Sequence, residues 1–365
     1  MSSKGPKALI RPEIQALNAY HVQAADNVIK LDAMENPWPW PGDLMASWQE
    51  KLTQVQVNRY PDPGASGVKA GLRVVMNAPE DCHILLGNGS DEIIQIIAMA
   101  MAKPGAKLLS VEPAFVMYSM IAKLTGLDYV GVPLQADFSL DLAGMLAAIE
   151  LHQPAIIFLA QPNNPTGNLF DLASIRQIIE RAEGLVVLDE AYTAFTDANM
   201  LPLLREYDNV VVMRTLSKVG LAGLRLGMLF GKAEWLDEFD KVRLPYNINS
   251  LTQLSAEFAL QHYEPLLQQS AAIIKSRASL QEVLRQLSGV EVFPSEANFV
   301  LVRVTACSAR AVFESMKAQG VLIKCLDGGH PLLQGCLRLT VGTEEENSQM
   351  ILALKAALQR VEHGR

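Results

Sequence analysis

The run Val210-Val211-Val212-Met213-Arg214, continued by Thr215-Leu216-Ser217-Lys218, decides the fold class. Its apolar half reads as a short buried strand. Similar runs occupy 107–111, 127–132, 155–160, 185–188 and 226–230, and segments such as 172–182 between them have helical spacing. Short apolar runs separated by helices predict an α/β fold, a mostly parallel central sheet with helices on both faces. In such a sheet ligands bind beyond the carboxyl ends of the strands. Lys218 falls there, flanked by Thr215 and Ser217 and followed by Gly220, Gly223, Arg225 and Gly227. A lysine among hydroxyls and glycines is well placed to meet a phosphorylated ligand. The same residues also describe a surface lysine before a flexible loop.

Three other segments carry candidate chemistry, two of them at predicted strand ends and one before a predicted helix. Leu188-Asp189-Glu190-Ala191-Tyr192 puts a carboxylate where it can face a cationic ring nitrogen, with Tyr192 three residues on. A helix-capping aspartate explains it equally well. Gln161-Pro162-Asn163-Asn164-Pro165-Thr166-Gly167 fixes a turn and holds an amide at the sheet edge; Asn-Pro is also ordinary turn chemistry. Gly87-Asn88-Gly89-Ser90-Asp91-Glu92 precedes an isoleucine-rich helix. Free N–H groups and the helix dipole make that point suitable for a phosphate. It is neither a Walker loop nor a Rossmann fingerprint, and Ser90 or Asp91 also serves as a plain helix cap.

The pattern changes after Asn249. Residues 255–288 read as one long helix, followed by strands over 289–293, 298–304 and 336–341 and helices over 309–319 and 344–361. This predicts a smaller α+β C-terminal domain at 250–365, a large domain at 37–249 and an N-terminal arm at 1–36. The arm is expected to be irregular with one short helix. Three prolines within 37–41 forbid helix and central strand there.

Composition narrows the function. The 365 residues carry a formal net charge of −8, which disfavours nucleic acid as a partner. The longest apolar stretch, 93–102, is half a membrane span and includes Gln95. Four scattered cysteines without a CxxC pair, six histidines without ligand spacing and no apolar leader segment predict a cytoplasmic protein with reduced thiols and no metal.

The order and spacing of the four motifs resemble the fold-type-I aminotransferases that use pyridoxal 5′-phosphate (PLP), over nearly the whole chain. The resemblance implies that Lys218 holds the cofactor as a Schiff base and that Asp189 pairs with its pyridine nitrogen. It implies that Tyr192 and Asn164 bond the ring hydroxyl, and that Phe115 stacks on the ring. Gly89, Ser90, Asp91, Thr215, Ser217 and Arg225 would form the phosphate cradle. Tyr60 would reach the phosphate of a partner subunit, making a homodimer. Arg338 would clamp a substrate carboxylate, a contact suited to the planar guanidinium.

Ala19-Tyr20-His21-Val22, residues 31–37, Asn58-Arg59-Tyr60-Pro61-Asp62 and Cys336-Leu337-Arg338-Leu339-Thr340-Val341-Gly342-Thr343 are together similar to the histidinol-phosphate aminotransferase family. That resemblance implies an amino donor and a 2-oxo acid as small-molecule substrates in histidine biosynthesis. It adds Tyr20, Asn36 and Lys324 near the substrate. Lys324 departs from the arginine of many relatives, and the interval from Lys218 to Arg225 is one residue shorter. Related families with the same machinery act on aromatic amino acids or decarboxylate phosphorylated ones.

Overall fold

The computed structural model describes residues 5–19, 23 and 27–362. Its main sheet has seven strands in the order His83–Asn88, Leu226–Gly231, Val210–Thr215, Leu185–Asp189, Ile156–Ala160, Lys107–Glu112 and Asp128–Pro133. Only Leu226–Gly231 runs against the others. Every residue of the central strands is buried. Successive side chains point to opposite faces, and the two faces feed separate cores. Val186, Leu188, Val210 and Val212 join one core; Leu185, Val187, Val211 and Met213 join the other. Apolar side chains on both faces explain why these strands read as unbroken runs rather than alternating ones.

The strand His83–Asn88 was not among the expected ones. It has exposed polar ends at His83 and Asn88 and lies at the sheet edge, so its apolar centre, Ile84 to Leu86, is too short to register as a run. The helix expected over 255–288 is two helices, Ser250–Gln261 and Glu264–Arg285. Pro265 stands in the first turn of the second, where its missing N–H has no helical partner to lose. The first of these helices packs with the large sheet: Ala256, Ala259 and Leu260 belong to that core.

A second sheet is antiparallel, in the order Lys324–Cys325, Cys336–Thr340, Phe299–Val304 and Val290–Val292. The helices Ala309–Ala318 and Glu344–Glu362 cover it through Val312, Phe313, Met316, Met350 and Leu354. The arm carries two one-turn helices, Pro6–Leu9 and Pro12–Gln15. It then becomes a strap. Ile29–Lys30 pairs in parallel with Val321–Leu322, and the Leu31 carbonyl accepts from the Thr340 N–H. The Met34 N–H donates to Thr340 Oγ1, and its carbonyl accepts from the Asn298 amide. The strap thus runs from the small sheet to the carboxyl edge of the large one. Among the described residues no helix is long and apolar enough to cross a membrane.

Candidate active site

The carboxyl ends of the parallel strands open into a cleft of about 580 Å³, lined by Ser90, Asp91, Phe115, Asn164, Asp189, Tyr192, Thr215, Ser217, Lys218 and Arg225, with Met34, Ala160 and Ala191. Apart from Met34, Phe115 and Ala160, these residues come from four separated motifs, which one cleft brings together.

The phosphate end is built from two chain reversals. The helix Ser90–Met101 starts at Gly89, which takes φ of 84° and offers no side-chain cap. Neither Ser90 nor Asp91 caps the helix, so its first N–H groups keep no side-chain partner there. A Cβ on Gly89 would come within 2.5 Å of the Arg225 guanidinium, and one on Gly227 within 2.5 Å of the Ser90 nitrogen. Gly227 therefore permits a backbone approach that a side chain would block, and the positive φ of Gly89 favours glycine there. Opposite the helix end lie the buried hydroxyls of Thr215 and Ser217, 2.9 Å apart. Arg225 sits in the left-handed region (φ 49°) and pairs with Asp91 at 3.2 Å. Helix N–H groups, two hydroxyls and a guanidinium form an anion cradle.

Lys218 is half-buried, with its amine 3.2 Å from the Ala33 carbonyl and 5.8 Å from the centre of the Tyr192 ring. Burial, then the Arg338 cation, bring its ammonium down to about 8. Asp189 is buried at the end of its strand. Its Oδ2 accepts from Tyr118 Oη at 2.6 Å and its Oδ1 from the Ala191 N–H at 3.0 Å. Burial pushes its carboxyl up to about 6, against the pull of those hydrogen bonds. Among the described residues it has no salt-bridge partner. A buried carboxylate that lines the cleft without a salt-bridge partner suits a cationic ring nitrogen.

The Asn164 amide donates to Tyr192 Oη at 3.1 Å, and its Oδ1 accepts from Arg338 Nη1 at 2.7 Å. Burial raises the Tyr192 phenol above its ordinary value. Arg338 is buried behind Asn164 rather than in the cleft lining; its Nη2 donates to the Asp32 carbonyl at 2.9 Å, and its guanidinium lies over Phe299 at 5.4 Å. Lys324 is its direct cross-strand neighbour. Antiparallel residues in register lie on the same face of the sheet.

Not every candidate converges. Asn36 is held outside the cleft lining: its amide nitrogen donates to the Val219 carbonyl and to Gln269 Oε1, and its oxygen accepts from the Trp38 N–H. Tyr60 is 80% exposed and stacked on Tyr246, with ring centres 4.4 Å apart, away from this chain's own cleft. Tyr20 lies outside the described residues. Tyr118 and Met34 were missed. Met34 puts its sulfur 3.3 Å from Tyr192 Oη. An aromatic three residues beyond Phe115 is the one signal that marks Tyr118. Missed too was the buried pair beneath the site, Arg214 with Glu190 at 2.7 Å, which Asn199 and the Met200 N–H complete.

The described residues contain no cluster of His, Cys, Asp and Glu that could hold a metal. Their donor set fits PLP: an amine with lowered proton affinity, a lone buried carboxylate, an aromatic wall at Phe115 and an anion cradle. The family model of the class I and II aminotransferases matches residues 26–354. The chain is 55% identical to histidinol-phosphate aminotransferase 2 of Nitrosococcus oceani over 95% of this chain and 96% of that one. It is 52% identical to the histidinol-phosphate aminotransferase of Chromobacterium violaceum, over 95% and 97%. The crystal structure of histidinol-phosphate aminotransferase from Sinorhizobium meliloti in complex with PLP superimposes with a TM-score of 0.86 at 25% identity, covering 96% of this chain and 97% of that one. The chain belongs to the class I and II aminotransferases and, within them, to the histidinol-phosphate aminotransferase family.

Proposed function

We propose that the chain is a PLP-dependent enzyme that moves the amino group of L-histidinol phosphate to 2-oxoglutarate, giving imidazole-acetol phosphate and L-glutamate in histidine biosynthesis. The observation that carries this reading is that one cleft holds both the Lys218 amine and the buried Asp189 carboxylate, which has no salt-bridge partner among the described residues. PLP supplies the electron sink when bound; the protein supplies orientation and electrostatics. Lys218 would hold the cofactor and would serve as the base for the proton on the substrate's α-carbon. Its lowered proton affinity lets it act near neutral pH. Asp189 would keep a proton on the ring nitrogen, Asn164 and Tyr192 would hold the ring hydroxyl, and Phe115 would cover one face.

Histidinol phosphate has no α-carboxylate. Its phosphate would go to Arg338, with Lys324 beside it and Tyr20 from the arm. The 2-oxoglutarate carboxylate would then use Arg338 in its turn, so one basic site serves two anions. Asn36 is assigned to holding the Val219 turn next to Lys218 rather than to substrate contact.

The functional unit we propose is a homodimer in the cytoplasm. Exposed Val57, Tyr60 and Leu244 beside Tyr246 support a covered face, with Tyr60 directed to the partner's cradle. The large domain would extend to about Gln261, because the helix ending there packs on the large sheet's core. Residues from Glu264 onward would form the small domain, and 1–36 the arm.

The test is spectroscopic. The purified yellow protein is mixed with L-histidinol phosphate alone. Conversion to the pyridoxamine form, reversed by 2-oxoglutarate, is the expected result. No conversion with this donor, but conversion with phenylalanine, would discard the substrate assignment. Release of carbon dioxide from a phosphorylated amino acid would move the chain to the decarboxylases.

A further inference from the structure

Tyr118 belongs to none of the motifs that build the cleft. It starts from the helix Met117–Thr125 and is wholly buried. Its ring stacks on Phe158 of a central strand, with centres 4.7 Å apart and planes at 19°. Its edge contacts Phe115, the aromatic wall of the cleft, at 5.7 Å and 88°. Its hydroxyl lies 2.6 Å from Asp189 Oδ2. One side chain thus joins two walls of the ring site, the stacking face and the carboxylate.

We propose that Tyr118 is a positioning residue for the cofactor: its hydroxyl fixes the Asp189 carboxylate in the plane that meets the ring nitrogen and keeps that carboxylate ionised. This rests on the reading of the cleft as a PLP site. The geometry leaves Asp189 no freedom to rotate, because the Ala191 N–H holds the other oxygen at 3.0 Å. The remaining lone pairs are those left for a donor in the cleft. A buried carboxylate is also liable to neutralise by taking a proton. The charged and titratable groups facing Asp189 are Asp91 from its helix, Glu190 next in chain, Tyr192 and Tyr118. Asp91 and Glu190 favour the protonated form. Tyr118 is the side chain among them that opposes it by hydrogen bonding. The phenol itself stays protonated, since burial and the Asp189 charge raise it well above its ordinary value. It is therefore a permanent donor.

The experiment is a double-mutant cycle with Tyr118→Phe and Asp189→Asn in the full-length protein. Two properties are read: the dissociation constant of PLP from the apoprotein, and the pH at which the bound chromophore changes colour. A protonated ring nitrogen withdraws charge from the Schiff-base nitrogen and lowers that pH. Tyr118→Phe is expected to weaken PLP binding by about 10- to 100-fold, as for a hydrogen bond to a charged group, and to move the colour change upward. In the Asp189→Asn background the same substitution should change either property less than about twofold. An equal loss in both backgrounds, or no loss in either, overturns the proposal. So does insoluble Tyr118→Phe protein, which would assign the hydroxyl to folding. If Asp189→Asn alone changes neither property, the reading of Asp189 as the ring-nitrogen partner fails first; if it changes both and Tyr118→Phe changes neither, only the role of Tyr118 is lost.

Discussion

Arg338 Nη1 donates to Asn164 Oδ1 at 2.7 Å, so the guanidinium proposed to clamp the substrate and the amide proposed to serve the cofactor's ring hydroxyl are bonded to each other. With its Nη2 on the Asp32 carbonyl, Arg338 is held flat before any anion arrives. Preorganisation of this kind lowers the entropy lost on binding. Lysine keeps the charge but cannot reproduce the fork. Arg338→Lys should therefore raise KM for both histidinol phosphate and 2-oxoglutarate by about 10- to 100-fold, with PLP affinity within about twofold of the parent. Steady-state kinetics with each substrate varied would decide it. A rise for only one substrate would show that the two anions use different sites.

The proton affinity of Lys218 is tied to the same arginine. Below about pH 8 the amine is mainly protonated and cannot attack the cofactor's aldehyde; above it the neutral form dominates. Stopped-flow capture of PLP by apoprotein should accelerate through pH 8 and then level off. Arg338→Gln removes a positive neighbour and should move that inflection upward. An inflection that stays put would mean that burial and Arg225, without Arg338, lower the lysine.

Asp189 should make the apoprotein less stable at neutral pH. Its folded value, about 6, lies above the ordinary 3.8, so the folded state holds a proton between those values that the unfolded chain has released. Stability from this group is thus full below about pH 4 and lost as pH rises through 6. The interval corresponds to about 3 kcal/mol at most. Asp189→Asn apoprotein is expected to melt higher than the parent at pH 8 and no higher at pH 4. Identical melting at both pH values would contradict a buried, unpaired charge.

Much of the site was legible in sequence because it is local. Asp189 ends a strand, Asn164 and Lys218 lie just beyond strand ends and Ser90 begins a helix, and strand ends in an open α/β sheet converge by topology. What sequence hid is tertiary. Tyr118 reaches Asp189 across 71 positions and Arg338 reaches Asn164 across 174. No spacing rule links such residues. The edge strand His83–Asn88 escaped for a different reason: its polar ends break the run that a central strand shows. The break between helices at His262 escaped because Pro265, which reads as a helix breaker, is also a good first-turn residue.

Beneath the cleft, Arg214 and Glu190 form a buried pair with side chains 6% and 0% exposed. Arg214→Met strands the carboxylate and should lower unfolding free energy by about 3–5 kcal/mol. Urea unfolding of the apoprotein measures it. Adding Glu190→Leu should recover most of the loss, since no buried charge then remains. A double variant as unstable as the single would point instead to lost hydrogen bonds at Asn199 and Met200.

The reversed strand Leu226–Gly231 has a consequence for how the family can vary. Because it runs against Val210–Thr215, the two are joined by a ten-residue hairpin loop, 216–225, with Lys218 near one end and Arg225 at the other. Thr215 and Gly227 are locked in register at its mouth. The proposed covalent anchor of the cofactor and the proposed cation for its phosphate are therefore set on one short closed ring of chain. A gain or loss of one residue there cannot slide along the strands; it has to be absorbed inside the loop, where Gly220 with φ of 122° and Gly223 provide the slack. Loop length is then an inherited ruler for the distance between the two ends of the cofactor, and it can drift only where glycines let it.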